Sequence, residues 1–185
     1  MIISISGKPG SGKSTIAKRL AQDLGYKRYY MGDIFRAASK KKNLTLVEYL
    51  KLGEKDHSID KEVDKQLSEI GKREDNLVIE GRTAYHFIPQ SLKIFLDVDE
   101  NIGAKRVFED FKINSMRNEA RQVTNVEDVL QINRERMKSD EKRYREIYGI
   151  DVFNPDNFDF FLDTTSFSKE EEYQKIFKYI KNRLG

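Results

Sequence analysis

The segment Gly7-Lys8-Pro9-Gly10-Ser11-Gly12-Lys13-Ser14 constrains this chain more than any other. It stands between an apolar run at residues 2–6 and a stretch in which Ile16, Leu20 and Leu24 recur at helical spacing. The pattern G-x-x-x-x-G-K-[ST], read as strand, loop and helix, is a phosphate-binding loop whose glycines let the backbone curl around an anion. Successive amides point inward as a nest, and the N-terminus of the following helix adds its partial positive charge. Gly7, Lys8, Pro9, Gly10, Ser11, Gly12, Lys13, Ser14 and Thr15 are therefore expected to wrap the phosphates of a nucleoside triphosphate. In that arrangement Lys13 reaches the β- and γ-phosphates and the Ser14 hydroxyl is placed for Mg²⁺.

A loop of this kind belongs on a parallel sheet, and the rest of the chain supplies one. Tyr29 to Met31 is predicted as a second strand, followed by a helix capped by Asp33 that carries Ile34, Phe35 and Ala38. Leu77 to Ile79 and Leu92 to Val98 are the unbroken apolar runs of strands covered on both faces, and Phe158 to Leu162 supplies a last strand. Residues 43–74 predict two helices, opened by the capping box Thr45-Leu46-Val47-Glu48. Residues 100–150 predict a charged helical region with a second box at Thr124-Asn125-Val126-Glu127. Ser168-Lys169-Glu170-Glu171 caps a terminal helix whose stripe of Tyr173, Ile176, Phe177, Ile180 and Leu184 is read as core packing. Strands alternating with helices imply an α/β fold of the P-loop NTPase kind. The sheet is parallel and five-stranded, flanked by helices and helical excursions, with ligands beyond the carboxyl ends of its strands.

Composition narrows the function classes. At 185 residues the chain is expected to form one globular unit. Its 34 basic and 31 acidic residues nearly balance, unlike the one-sided field of a dedicated nucleic-acid binder, so no nucleic-acid partner is expected. The absence of cysteine excludes disulfides, thiolate zinc sites and cysteine nucleophiles. His57 and His86 are too far apart in sequence for zinc-ligand spacing. No apolar run reaches the roughly 18 residues of a membrane span, and the first residues lack the basic start and cleavage site of a secretory signal. A cytoplasmic monomer that handles small molecules is the expectation.

Phosphate binding alone does not specify a reaction, so the second ligand has to be argued from residues at the other strand ends. Arg36 falls one turn into the helix after strand two, where a planar fork can grip a second phosphate. Glu80-Gly81-Arg82 follows strand three and offers a carboxylate near the metal together with another arginine. Glu80 and Asp33 are expected to hold waters of the Mg²⁺ ion. Arg136, Asp140 and Arg143 share one helix face by their spacing. Two readings stay open for them: a solvated ion-pair row, or arginines carried on a closing cover to stabilise charge during phosphoryl transfer.

MIISISGKPGSGKST, YYMGDIFR, LVIEGR, LKIFLDVD and RERMKSDEKRYREIYGID together resemble the archaeal type of cytidylate kinase along nearly the whole chain. The resemblance implies ATP-dependent phosphorylation of CMP, and of dCMP. Weaker similarity to the bacterial members implies that Arg36, Arg82, Arg136, Asp140 and Arg143 hold acceptor-binding and lid positions, and Asp33 is expected beside them in binding the acceptor. Lys13, Arg82, Arg136 and Arg143 are then the catalytic set. It also implies a core of residues 1–36, 76–109 and 146–185, a monophosphate-binding part at about 37–75 and a lid at about 110–145. One departure stands out: the bacterial pattern has Gly-Arg-Asp where this chain has Gly81-Arg82-Thr83, so the base-contacting aspartate of that family is missing. Asp60, on the acidic helix of residues 59–72, is either its substitute or a solvent-facing acid. The rival readings are a kinase for another small acceptor, such as AMP, UMP or a non-nucleotide, and an ATPase acting as an RNA-associated factor. The second of these draws on Lys40-Lys41-Lys42.

Overall fold

The computed structural model describes residues 1–113 and 123–184. Five parallel strands form its sheet: β1 (Ile2–Gly7), β2 (Lys27–Tyr30), β3 (Leu77–Glu80), β4 (Leu92–Asp97) and β5 (Phe160–Asp163), in the order β2-β3-β1-β4-β5. Helices α1 (Lys13–Leu24), α2 (Met31–Lys41), α3 (Leu46–Gly53) and α4 (Ser58–Arg73) precede β3 or link it to β1 and β2. Short α5 (Ala84–Phe87), α6 (Glu100–Ile113), α7 (Val126–Tyr148) and terminal α8 (Lys169–Leu184) follow. This is the parallel architecture expected from the alternation of strands and helices. Because the chain reverses its direction of winding at central β1, the loops after β1 and β3 open onto the same crevice.

The strand period of two decides which helix covers which face. Ile3, Ile5 and Val78 point to one side and pack with Ile16 and Leu20 of α1 and Ile176 and Ile180 of α8. Ile2, Leu77 and Ile79 point to the other and meet Val63, Leu67 and Ile70 of α4. Helices α6 and α7 share a separate small core of Ala104, Val107, Val129 and Leu130 beside the sheet. Among the described residues no helix is long and apolar enough to cross a membrane.

Three local expectations shift. Residue 31 begins α2 rather than ending β2, so Asp33 sits inside the first helical turn and the N-cap position falls to Tyr30. The second capping box moves on by one residue: Asn125 caps α7 by accepting from the Asp128 amide at 2.9 Å, and the amide and hydroxyl of Thr124 also bond the Asp128 carboxylate. Both registers satisfy the cap pattern in sequence, and the one whose acid can collect three donors prevails. Tyr173, Ile176 and Ile180 are buried as the stripe predicts, whereas Leu184 at the frayed end is 40% exposed. Residues 114–122 of the expected lid lie outside the described residues.

Candidate active site

A cavity of about 1060 Å³ runs along the carboxyl ends of β1, β2 and β3. It exceeds the roughly 300–1,000 Å³ of common small-molecule sites, enough room for two ligands end to end. One end is the glycine-rich loop. Gly10 and Gly12 take φ of 78° and 85°, in the left-handed region where a side chain is strained. A Cβ on Gly10 would also lie 2.2 Å from the Gly103 carbonyl oxygen of α6, so only glycine lets the loop nest this closely. No side chain caps the N-terminus of α1, and its first amides are left to an incoming anion.

The residues expected to wrap phosphate divide into lining and frame. Pro9, Gly10, Gly12, Lys13, Ser14 and Thr15 line the cavity. Gly7, Lys8 and Ser11 brace it from behind: Gly7 O accepts from Arg82, Lys8 pairs with Asp97 at 2.7 Å, and Ser11 is fully buried. Lys13 folds back so that its ammonium donates to the Lys8 carbonyl, at the mouth of the nest. Ser14 Oγ donates to Glu80 Oε1 at 2.6 Å, and Arg28 donates to the other Glu80 oxygen at 2.9 Å. The paired hydroxyl and carboxylate are hard oxygen donors of the kind Mg²⁺ takes, directly or through water. These residues fit that ion. Asp33 lines the same cavity with its side chain 73% exposed, 3.6 Å from Arg36.

Arg36, Arg82 and Arg136 line the same cavity. Arg36 donates to Tyr30 Oη at 2.7 Å. Arg82 spans the two halves of the site, bonding Gly7 O at the loop and Asp140 Oδ2 at 2.7 Å on α7. Burial works to raise the Asp140 carboxyl, but the guanidinium groups of Arg82 and Arg143 outweigh it and hold the group below its ordinary range.

Arg143 also borders the cavity, yet its side chain is only 1% exposed and its guanidinium is committed on three sides. It donates to Asp60 at 2.8 Å, to Ser139 at 2.8 Å and to Asp140 at 2.9 Å. Arg136, Asp140 and Arg143 thus share the inner side of α7, and Asp140 and Arg143 belong to a buried ionic network rather than a solvated row. Asp60 is 0% exposed and faces Arg143, so it is not a solvent-facing acid. Burial pushes its carboxyl up, against the pull of Arg143.

Several groups at the site escaped sequence reasoning. Arg28 was legible in principle, since alternation along β2 puts it on the same side as Tyr30. Glu172, beside Gly12, pairs with Arg106 at 3.3 Å, and both line the cavity, brought there by two helices far apart in sequence. Burial raises the Glu172 carboxyl, with Arg106 opposing. Asp64 carried no motif at all, although burial raises its carboxyl to about 7 against hydrogen bonds from Thr83 and Tyr148.

A model of the cytidylate kinase-like family matches residues 2–166. A cytidylate kinase of Methanosphaera stadtmanae is 34% identical over 99% of each chain. One of Pyrococcus furiosus is 36% identical over 92% of this chain and 83% of its own. Among solved structures, a shikimate kinase from Bacteroides thetaiotaomicron superposes with a TM-score of 0.64 at 16% identity, covering 100% of this chain and 98% of its own. At that identity the likeness is one of fold.

Proposed function

Because the chain belongs to the cytidylate kinase-like family, we propose that it transfers the γ-phosphoryl group of ATP to CMP, and to dCMP, giving ADP and the cytidine diphosphate. The observation that carries this reading is that one cavity is lined both by a main-chain anion nest and by Arg36, Arg82 and Arg136, with Arg82 reaching from the loop to α7. A nest for the donor facing guanidinium groups for the acceptor sets two anionic nucleotides end to end.

The loop amides and the α1 N-terminus hold the β- and γ-phosphates of ATP, and Lys13 leaves the Lys8 carbonyl to meet them. Arg36 grips the acceptor phosphate with its planar fork. Arg82 sits between donor and acceptor and stabilises the charge that spreads over the transferring group, with Arg136 closing from α7. Arg143 acts mainly through Asp140, which it fixes against Arg82. An acceptor phosphate oxygen is already an anionic nucleophile and the transition state is loose, so the site requires no strong general base. Ser14, with Glu80 and Asp33 through water, would hold Mg²⁺. What that ion supplies when bound is neutralisation of charge on the β- and γ-oxygens.

The same reading divides the chain into a core of residues 1–36, 76–109 and 146–185, an acceptor-binding part at about 37–75 and a lid at about 110–145, and treats it as a cytoplasmic monomer. A coupled assay of ATP with CMP, dCMP, UMP, AMP and GMP tests the acceptor assignment. Turnover should be highest with CMP, and a preference for AMP, or ATP hydrolysis without transfer, would reject it.

Arg36→Ala should lower kcat/KM for CMP by roughly 10²-fold, the worth of a charged phosphate contact, while calorimetric ATP affinity stays within about twofold. Equal losses for both nucleotides would contradict its place on the acceptor side.

A further inference from the structure

The acceptor end of the cavity has apolar walls, Leu46, Leu50, Val63 and Leu67, and its arginines can only donate hydrogen bonds. Thr83 lines the same cavity and behaves differently. It is 3% exposed, and its Oγ1 lies 2.6 Å from Oδ1 of Asp64, a buried carboxylate on α4. Oδ2 of Asp64 accepts from the Tyr148 hydroxyl at 2.9 Å, which pins the carboxylate from α7. A threonine hydroxyl has one proton to give. Once that proton is committed to Asp64, only lone pairs remain to face the cavity. The Asp64 carboxyl is raised by burial to about 7, so above that pH it has no proton to return and the bond runs from Thr83 to Asp64.

Resting on the assignment of a pyrimidine monophosphate as acceptor, we propose that Thr83 determines base specificity: held as a pure acceptor by Asp64, its Oγ1 takes a hydrogen bond from the exocyclic 4-amino group of cytosine and rejects the 4-carbonyl of uracil. The cytosine amine completes the hydroxyl's bonding. Uracil places acceptor against acceptor beside Thr83, which is 3% exposed, and leaves both without a donor. Asp64 is then a positioning residue, setting the direction of the Thr83 bond without touching the nucleotide.

The test is kcat/KM at pH 8 for CMP, UMP and the CMP analogue with hydrogen in place of the 4-amino group. Wild-type protein should prefer CMP to both others by about 10–100-fold, the discrimination one buried hydrogen bond supplies. Thr83→Val should lose that factor for CMP, chiefly in KM, while UMP loses nothing and gains where the opposed lone pair is gone, and the KM for ATP is unmoved. Thr83→Ser should restore the preference. Asp64→Asn, whose amide can donate to Oγ1, should narrow the CMP to UMP ratio, whereas a merely structural role would lower both alike and leave the ratio unmoved. The proposal is overturned if wild-type protein treats CMP and the analogue with hydrogen in place of the 4-amino group alike, a result that requires no folded variant, or if Thr83→Val keeps the wild-type ratio. Wild-type protein inactive on CMP and UMP alike would instead remove the acceptor assignment beneath it.

Discussion

Lys13→Ala lowers kcat by roughly 10³-fold, at the upper end of what one preorganised charge-stabilising donor is worth. The loss should appear with every acceptor tested, because Lys13 serves the group in transit rather than either nucleoside. The nest itself survives, since it is built of main-chain amides and of glycines at positive φ that the substitution leaves alone. ATP affinity measured by calorimetry should therefore weaken far less than turnover. A variant that kept more than about a tenth of wild-type kcat would show that Lys13 remains on the Lys8 carbonyl throughout the reaction.

Arg143→Met destabilises the fold by roughly 3–5 kcal/mol, the cost of removing one partner from a buried ion pair. Asp140 would retain Arg82 at 2.7 Å, but Asp60 would lose the ion pair that compensates its burial. Oδ1 of Asp60 already has no hydrogen-bond partner among the described residues. The pH dependence has a definite sign. Without Arg143 the folded-state pKa of Asp60 rises further above its unfolded value, so stability is fully present below the unfolded pKa and is lost as pH rises through the folded one. Urea unfolding should accordingly find the variant much weaker at pH 8 than at pH 5. Adding Asp60→Asn should recover part of the loss at pH 8, because the carboxamide removes the stranded charge. An unfolding free energy unchanged from wild type at pH 8 would mean that the network contributes no net stability.

How much of this was legible in the chain depended on the distance over which each feature is built. The phosphate loop was fully readable, because eight consecutive residues set its backbone conformation and the flanking strand and helix orient it. The parallel sheet was readable from unbroken apolar runs, and Arg36 and Arg82 from their places just beyond strand ends. Boundaries were less so. Residue 31 joins α2, where Met31 is buried in the same core cluster as Ile79, Val63 and Leu67, a tertiary setting that a local reading of the strand does not include. Glu172 carries no local signal, and Arg28 shows only the alternation that sets it on the same side as Tyr30; each ends against a group supplied by a distant element, Arg106 for Glu172 and Glu80 for Arg28.

The linear order of residues was enough to determine a nucleotide-binding α/β chain with a main-chain anion nest and a set of arginines, since backbone dihedral preference and apolar periodicity act over a few residues at a time. Only the tertiary structure decided what each charge faces. Arg143 turns inward to Asp60 and Asp140, Arg28 neutralises Glu80, and Thr83 spends its proton on Asp64. Those outcomes follow from burial, which makes an unpaired charge or donor costly and forces each polar group to take the partner that packing brings within about 3 Å.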